Sequence, residues 1–456
     1  MDFLPEPYKT KTVERIHLLP REKRQRKLIE AHYNLFKIPA ADVFIDLLTD
    51  SGTSAMSDNQ WAGLQMGDES YAGCRNYYFF EDTIRNITGF KNIIPAHQGR
   101  VAENLLFTSA LKKGDYVISN THFDTTRANI EHQKAHAVDL LVEEGKDPQS
   151  EYDFKGNIDL DKVEDFIKKV GAKKIPMGML TVTNNAGGGQ PVSLENIKAY
   201  SELLHKHGIS LYLDACRYAE NCYFIKQREA VYRDWTIKDI AREMFKYTDG
   251  CTMSAKKDGL ANIGGFLATN DDKLAAKITN MLILIEGFPT YGGMAGRDLE
   301  AVARGLIEAL DEEYLHYRVQ QVKCLGELLE EAEIPIVRPP GGHAIYVDIN
   351  SFLPDFPREK YPGWAVTVAM YREGCVRTTE IGTIMQGLQP DGTEIIPRLE
   401  LVRLAIPRRV YSMAHLQYVA SIFKKIKENK KLIKPLRIKW QAPVMRHFTV
   451  ELEEIP

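Results

Sequence analysis

From about residue 90 to residue 310 the chain alternates short apolar or β-branched runs with longer stretches of helical period. The runs at 115–119, 176–183, 210–214, 250–254 and 265–269 read as buried parallel strands, which are apolar on both faces. Between two of them, SLENIKAYSELLHKHG (193–208) sets Leu194, Ile197, Leu203 and Leu204 on one stripe, with Ser193 suited to cap its start and Gly208 to end it. Residues 160–170 repeat the arrangement: Leu160, Val163, Phe166, Ile167 and Val170 share a side, and Gly171 follows. Alternation of this kind predicts a doubly wound α/β domain with a mostly parallel sheet. After residue 310 the rhythm changes. A helix-like DEEYLHYRVQQVKCLGELLEEAE leads to a strand-like GHAIYVDI, then a helix around 365–373, a strand at 401–406 and a long helix around 413–429. These predict a smaller α+β domain.

Composition narrows the setting. The 456 residues suffice for two or three domain-sized units, and a 44% hydrophobic fraction can bury a large core. A net charge of −3 calls for neither nucleic acid nor an anionic membrane. The longest purely apolar candidate, 281–285, falls far short of the ~20 residues of a membrane span. The start MDFLPEPYKT holds Asp2, Glu6 and two prolines and lacks the apolar core of a secretory signal. The six cysteines are scattered without a C-x-x-C, so free thiols and a cytoplasmic location are expected. The lysine-rich 424–439 has no interleaved aromatics and reads as a solvated helix face and tail rather than a nucleic-acid surface.

The sharpest chemical signal is SAKKDGLANIGG, 254–265, where a strand ends in Ser254, two lysines and a glycine-rich turn. A lysine at a strand end can be desolvated, which favours the free amine and makes it nucleophilic. Alone, a Lys-Lys pair is an ordinary surface loop. One strand unit upstream, however, LYLDACR ends in Asp214 with Arg217 just after it. An aspartate there and a lysine one unit later are what pyridoxal phosphate (PLP) requires: a carboxylate keeps its pyridine nitrogen protonated, and the charged ring stabilises a carbanion at a substrate Cα. A third element, HQGRVAENLLF (97–107), sets Gln98, Gly99 and Arg100 at a helix start, where backbone N–H groups bind phosphate and glycine permits close approach. No G-x-G-x-x-G follows a strand and no G-x-x-x-x-G-K-[ST] occurs, so dinucleotide and P-loop readings lack support.

The order of Gln98–Arg100, Phe123, Asn185, Asp214, Arg217, Ser254 and Lys257 resembles the aspartate-aminotransferase fold (fold type I) of PLP enzymes. More narrowly, DLLTDSGT (46–53), GDESYAG (67–73), HQGR, GGQPVS (188–193), YFIKQREA (223–230), SAKKD, EGFPTYGG (286–293) and IPRRVY (406–411) resemble the β-eliminating lyases nearly end to end. That resemblance implies a PLP-dependent carbon–carbon lyase. The expected plan is 1–56 as an N-terminal arm and part of the small domain, 57–310 as the large PLP-binding domain and 311–456 as the small domain. Lys257 resembles the Schiff-base lysine and the base that removes the Cα proton. Asp214 resembles the pyridinium partner, Arg217 the residue near the phenolic oxygen, and Phe123 the ring stacked on the pyridine. Gln98, Gly99, Arg100 and Ser254 resemble the phosphate cradle. Arg403, in LVRLAIP, resembles the clamp for the substrate carboxylate, to which a bidentate guanidinium is suited. Asn185 and Ser51 assist in this scheme. Tyr71 resembles the acid that helps the aromatic ring depart, and Lys256 a structural residue. Gly52, Glu69 and Asn262 resemble a monovalent-cation site, usually potassium. The family also implies a homotetramer with sites between subunits, where Tyr71 and Tyr291 can enter a neighbour's site.

Members of the family divide between tryptophan and tyrosine. Those acting on tyrosine carry arginine where this chain has Ile381, threonine at Asp124, phenylalanine at His447 and methionine at Phe288; those acting on tryptophan match it at these positions. The chemistry points the same way. Ile381 would leave a phenol hydroxyl unpaired, at a cost of ~1–3 kcal/mol, whereas Asp124 or His447 can accept from an indole N–H. The expected reaction is β-elimination of tryptophan to indole, pyruvate and ammonia, with tyrosine cleavage to phenol as the alternative. An aminotransferase on the same fold is a more distant alternative, for which a second arginine for a dicarboxylate is the usual mark. A non-enzymatic protein would have no reason to hold this lysine, aspartate and phosphate turn in order.

Overall fold

The computed structural model of the chain describes residues 5–389 and 391–455. It divides into two compact units: one of Ser51–Gly145 and Tyr152–His316, the other of Met1–Asp50, Lys146–Glu151 and Tyr317–Pro456. All six cysteines are free thiols. Among the described residues no helix is long and apolar enough to cross a membrane.

The larger unit is built on a seven-stranded sheet in the order Asn92–Ala96, Gly265–Thr269, Gly250–Ser254, Ser210–Asp214, Met177–Thr181, Tyr116–Ser119, His136–Asp139. Six strands run the same way. Gly265–Thr269 does not: it pairs antiparallel with both of its neighbours. The expectation of a parallel strand there is corrected, and the reason is the connection. Residues 255–264 contain no helix, and so short a link cannot make the crossover that a parallel return needs. Both edge strands escaped the sequence pattern. Asn92–Ala96 contains Pro95, which an edge position tolerates, and His136–Asp139 is largely exposed. On one face the helices Gly99–Ala110, Asp124–His132 and Asp272–Ile285 bury a core of Met177, Met179, Tyr212 and Leu267 with Leu105, Leu106, Ile130 and Ile278. Between Met177 and Met179, Gly178 faces the opposite way, and a Cβ there would lie 2.4 Å from the Tyr200 hydroxyl and 2.5 Å from Leu204. The helix Leu194–Lys206 thus packs on the second face, capped as expected by Ser193, whose Oγ accepts from Asn196 N at 3.0 Å.

In the smaller unit Leu401–Ala405 pairs antiparallel with Thr379–Ile381 on one side and Ala344–Asp348 on the other. Ile45–Asp46 pairs with Val376–Arg377, which binds the N-terminal segment to this unit. The helices Pro362–Gly374 and Met413–Glu428 bury Trp364, Val366, Met370, Leu416, Val419 and Phe423 into one core. The basic stretch is neutralised by acidic partners: Lys425 meets Glu373 at 2.8 Å, Lys427 bonds Glu333, and Arg437 bonds Glu453.

Candidate active site

In an α/β sheet, ligands bind beyond the carboxyl ends of the parallel strands. Here the loops at those ends carry the expected residues. Gln98–Arg100 follow Asn92–Ala96, Phe123 follows Tyr116–Ser119, and Asn185 follows Met177–Thr181. Asp214 ends its own strand with Arg217 beyond it, and Lys257 follows Gly250–Ser254. One sheet edge therefore gathers residues far apart in sequence.

Gln98 is the N-cap of the helix Gly99–Ala110, and its side chain makes no cap hydrogen bond. A helix start not closed by its own N-cap side chain suits an anion. A Cβ on Gly99 would stand 2.7 Å from Ser254 Cβ and 3.0 Å from Ser254 N. Glycine is needed because this helix start presses against the end of the lysine strand. Lys256 lies on the same loop, and burial holds its amine below the usual lysine range, with the positive charges of Lys257 and Arg100 adding to the effect. Three cations and a helix N-terminus at one place suit a phosphate.

Lys257 Nζ donates to Cys216 Sγ at 3.8 Å, and Ser254 N donates to the same sulfur at 3.2 Å. Burial pushes the Cys216 thiol up to about 12, and the Asp214 charge reinforces it, so the sulfur is a neutral acceptor at ordinary pH. Asp214 is buried, and its Oδ1 accepts from Cys216 N at 3.3 Å. Asp258, next to the lysine, accepts from Ala219 N at 2.8 Å and Glu220 N at 3.2 Å. It caps the helix Tyr218–Arg228 and ties the lysine loop to the Asp214–Arg217 turn.

Glu103 was missed by sequence reasoning. One turn beyond Gly99, its buried Oε1 accepts from Thr126 Oγ1 at 2.6 Å, while the buried Oε2 has no partner. Burial first, and then the negative charge of Asp214, raise this carboxyl to about 7. Its place four residues after Gly99 was the signal available, since i and i+4 share a helix face. An orphaned buried oxygen near Asp214, a glycine-walled cation cluster and a strand-end lysine together fit PLP.

The remaining expected residues are placed as follows. Phe123 is the N-cap residue of Asp124–His132, and Thr125 N donates to the Asp124 carboxylate at 2.6 Å. The preceding His122 pairs through Nδ1 with Asp139 at 2.7 Å, which fixes that turn. Tyr71 is 71% exposed, with its ring 5.4 Å from Tyr291 and 5.6 Å from Phe288; its hydrogen bond with Tyr291 raises the phenol above its usual range. Asn262 Nδ2 donates to the carbonyls of Gly52 at 3.1 Å and Ser54 at 3.0 Å, so Gly52, beside Ser51, and Asn262 are brought together. Glu69 instead accepts from Gly296 N at 2.8 Å and Arg297 N at 3.2 Å, at the start of the helix Gly296–Glu308. In the smaller unit Arg403 is buried and donates to Leu48 O at 3.0 Å. Ile381 is 1% exposed in an apolar cluster with Val337, Tyr346 and Leu401, and His447 is equally buried, its ring 5.9 Å from Phe36.

The fold matches solved PLP enzymes at low sequence identity. An aminotransferase from Staphylococcus aureus superposes with a TM-score of 0.60 at 14% identity, over 84% of this chain and 94% of that one. A serine palmitoyltransferase from Sphingomonas wittichii gives 0.56 at 12% identity, over 85% of this chain and 88% of that one. The molecule has the fold-type I architecture. Residues 46–422 match the model of the β-eliminating lyases. A tryptophanase from Hyphomonas neptunium is 52% identical over the whole of both chains, and one from Salinibacter ruber 53% identical over 99% of this chain and 96% of its own. A tyrosine phenol-lyase from Pasteurella multocida is 50% identical over 99% of both. The chain belongs to the β-eliminating lyase family and is a PLP-dependent lyase acting on an amino acid.

Proposed function

We propose that the chain cleaves L-tryptophan to indole, pyruvate and ammonia. The observation that carries this reading is Ile381, buried among apolar side chains at the position where tyrosine-cleaving relatives resemble one another in carrying arginine. A phenol hydroxyl would find no partner there, and the loss is worth ~1–3 kcal/mol. Asp124, His447 and Phe288 support the same choice.

Bound PLP supplies a carbonyl carbon for the substrate amine and an electron sink for a carbanion at Cα. Lys257 would hold the cofactor through its ε-amine, and its Nζ would move the Cα proton. Asp214 would keep a proton on the pyridine nitrogen, Arg217 would serve the phenolic oxygen, and Phe123 would hold the ring by stacking. Gln98, Gly99, Arg100 and Ser254 bind the phosphate. Arg403 clamps the substrate carboxylate, with Ser51 and Asn185 assisting. Indole leaves only after carbon 3 of its ring is protonated, and Tyr71 with Asp124 and His447 supplies that proton. Gly52, Glu69 and Asn262 contribute to a potassium site. The working form is a cytoplasmic homotetramer, supported by the free thiols and by the exposed apolar Ile283, Leu284 and Ile285 at one helix end.

Product analysis with tryptophan and tyrosine side by side tests the reading. Indole from tryptophan, without an oxo-acid co-substrate and with little phenol from tyrosine, is expected. Phenol as the main product would assign the chain to tyrosine instead, and a requirement for an oxo acid would make it an aminotransferase.

A further inference from the structure

Three buried ionisable residues of the smaller unit have no part in the scheme above: Glu380, Glu400 and Arg446. They converge on one short helical turn, Thr383–Gln386. From one side its amides are held by carboxylates. Thr383 N donates to Glu400 Oε2 at 2.9 Å, Ile384 N to Glu380 Oε1 at 2.8 Å, and Met385 N to Glu380 Oε2 at 3.1 Å. From the other side Arg446 takes the carbonyls, donating through Nη2 to Thr383 O at 2.7 Å and through Nε to Ile384 O at 2.8 Å. Its Nη1 also meets Glu394 at 2.8 Å and Gln441 at 2.7 Å. Space around Glu400 is kept by two glycines. A Cβ on Gly363 would lie 2.5 Å from its Oε1, and one on Gly382 2.6 Å from its Cδ.

Two of the three adjoin a residue assigned to substrate, and the third adjoins the strand partner of one. Glu380 precedes Ile381 in the strand Thr379–Ile381. Glu400 precedes Leu401, which pairs with Ile381, in the strand that carries Arg403. Arg446 precedes His447 in the turn Arg446–Phe448. A four-residue helix needs no such investment for stability, and apolar residues of similar volume commonly replace buried ions without loss. What ions from three distant segments do provide is a fixed spatial relation among those segments.

We infer that Glu380, Glu400 and Arg446 form a clasp that positions Ile381 and His447 as one rigid piece and so sets the enzyme's selectivity for an aromatic leaving group. They are positioning residues. The inference rests on the substrate roles proposed for the two residues they hold. Burial raises the Glu380 carboxyl well above its usual range, with the charge of Glu400 next in effect, so a proton between the two relieves their repulsion; the Arg358 guanidinium is 3.8 Å from Glu400.

The test compares two substrates in the holoenzyme. L-Tryptophan needs its ring seated and protonated. β-Chloro-L-alanine has no ring, and its chloride departs with the C–Cl electron pair and needs no proton. Arg446→Met is expected to lose kcat/KM for tryptophan by about a hundredfold, the scale of a misplaced reacting group, while β-chloroalanine stays within about threefold of wild type. Arg446→Lys should fall between, and Glu380→Gln, which keeps acceptor and donor in place, should rescue the loss seen in Glu380→Ala. An equal fall on both substrates, or no fall in Arg446→Lys and Glu380→Ala that still bind PLP, overturns the clasp. If Arg446→Met does not fold, those two variants decide. Wild type is assayed first on tryptophan and tyrosine. Phenol instead of indole would sink the tryptophan reading alone, and the clasp would then be judged by the same ratio with tyrosine.

Discussion

The two units solve the same problem, holding reactive side chains still, in different ways. In the larger unit the key residues stand at strand ends and helix starts, fixed by the main chain and by glycines such as Gly99 that allow backbone to meet backbone. In the smaller unit Ile381, Arg403 and His447 lie deep in the interior, and ionic side chains from distant segments tie their strands together. Short motifs suffice for the first solution. The second requires pairs separated by long stretches of chain.

The largest expected effect tests the chemical half of this contrast. Lys257→Ala should lower the rate of indole release by at least ~10²–10⁴-fold, the usual contribution of a positioned base, and remove the visible band of bound PLP. The fold should be untouched, since the hydrogen bond of Nζ to Cys216 Sγ is a long one, at 3.8 Å. Retained turnover, measured as indole per unit time, would refute the role of this lysine.

The structural half is tested at Arg408 and Asp50, both wholly buried and paired at 2.9 Å within the smaller unit. Removing one partner strands the other charge in the interior. Asp50→Ala is expected to destabilise the protein by about 3–5 kcal/mol, read as a fall in the denaturation midpoint. A change below ~1 kcal/mol would mean that water reaches the guanidinium and that the pair is not a structural tie.

The same division explains what could be read in the chain. The strands 210–214, 250–254 and 265–269 and the caps at Ser193 and Gly171 were legible because apolar runs and cap residues act over a few positions. The order Asp214, Arg217, Ser254, Lys257 was legible because a parallel sheet converts order along the chain into neighbours at one edge. The edge strand with Pro95 was not, since proline argues against a strand unless the partner side is known to be empty. The direction of Gly265–Thr269 lay in the length of the preceding loop rather than in its composition. Asp258 and the Glu380–Glu400–Arg446 group carry no local mark, because a charged side chain reads as solvated until the fold buries it, and Glu103 had only its place four residues after Gly99.

Glu103 gives a smaller, pH-dependent effect in the larger unit. In the folded chain its carboxyl keeps a proton up to about pH 7, against an ordinary value of 4.5. Between those values the folded state binds more protons than the unfolded one, so this group makes stability fall as pH rises from about 4.5 to about 7. Glu103→Gln removes that fall. In cofactor-free protein the variant should gain on wild type across this window, by about 3 kcal/mol at most. Parallel stability curves for the two proteins from pH 4 to 8 would show that Glu103 does not titrate there.

The smallest effects come from two helix starts that look alike in sequence but serve different ends. Ser193 accepts from Asn196 N at 3.0 Å and Glu229 Oε1 from Leu194 N at 2.6 Å, so the protein's own side chains already occupy this first turn. The Gln98 side chain makes no such cap, and Gly99 lies where any Cβ would strike Ser254. Gly99→Ala should therefore weaken PLP about tenfold or somewhat more, equivalent to ~1–2 kcal/mol, as read by titrating the visible band of the cofactor. It should change the stability of the cofactor-free protein less than it changes binding, because the clash falls at the rim of the site. Ser193→Ala should do the reverse: ~1 kcal/mol of stability lost with the cap, and PLP affinity unchanged. If both variants lost stability alone, the uncapped turn at Gly99 would be an ordinary helix start, and the phosphate would have to be held by the side chains of Arg100 and Ser254 without it.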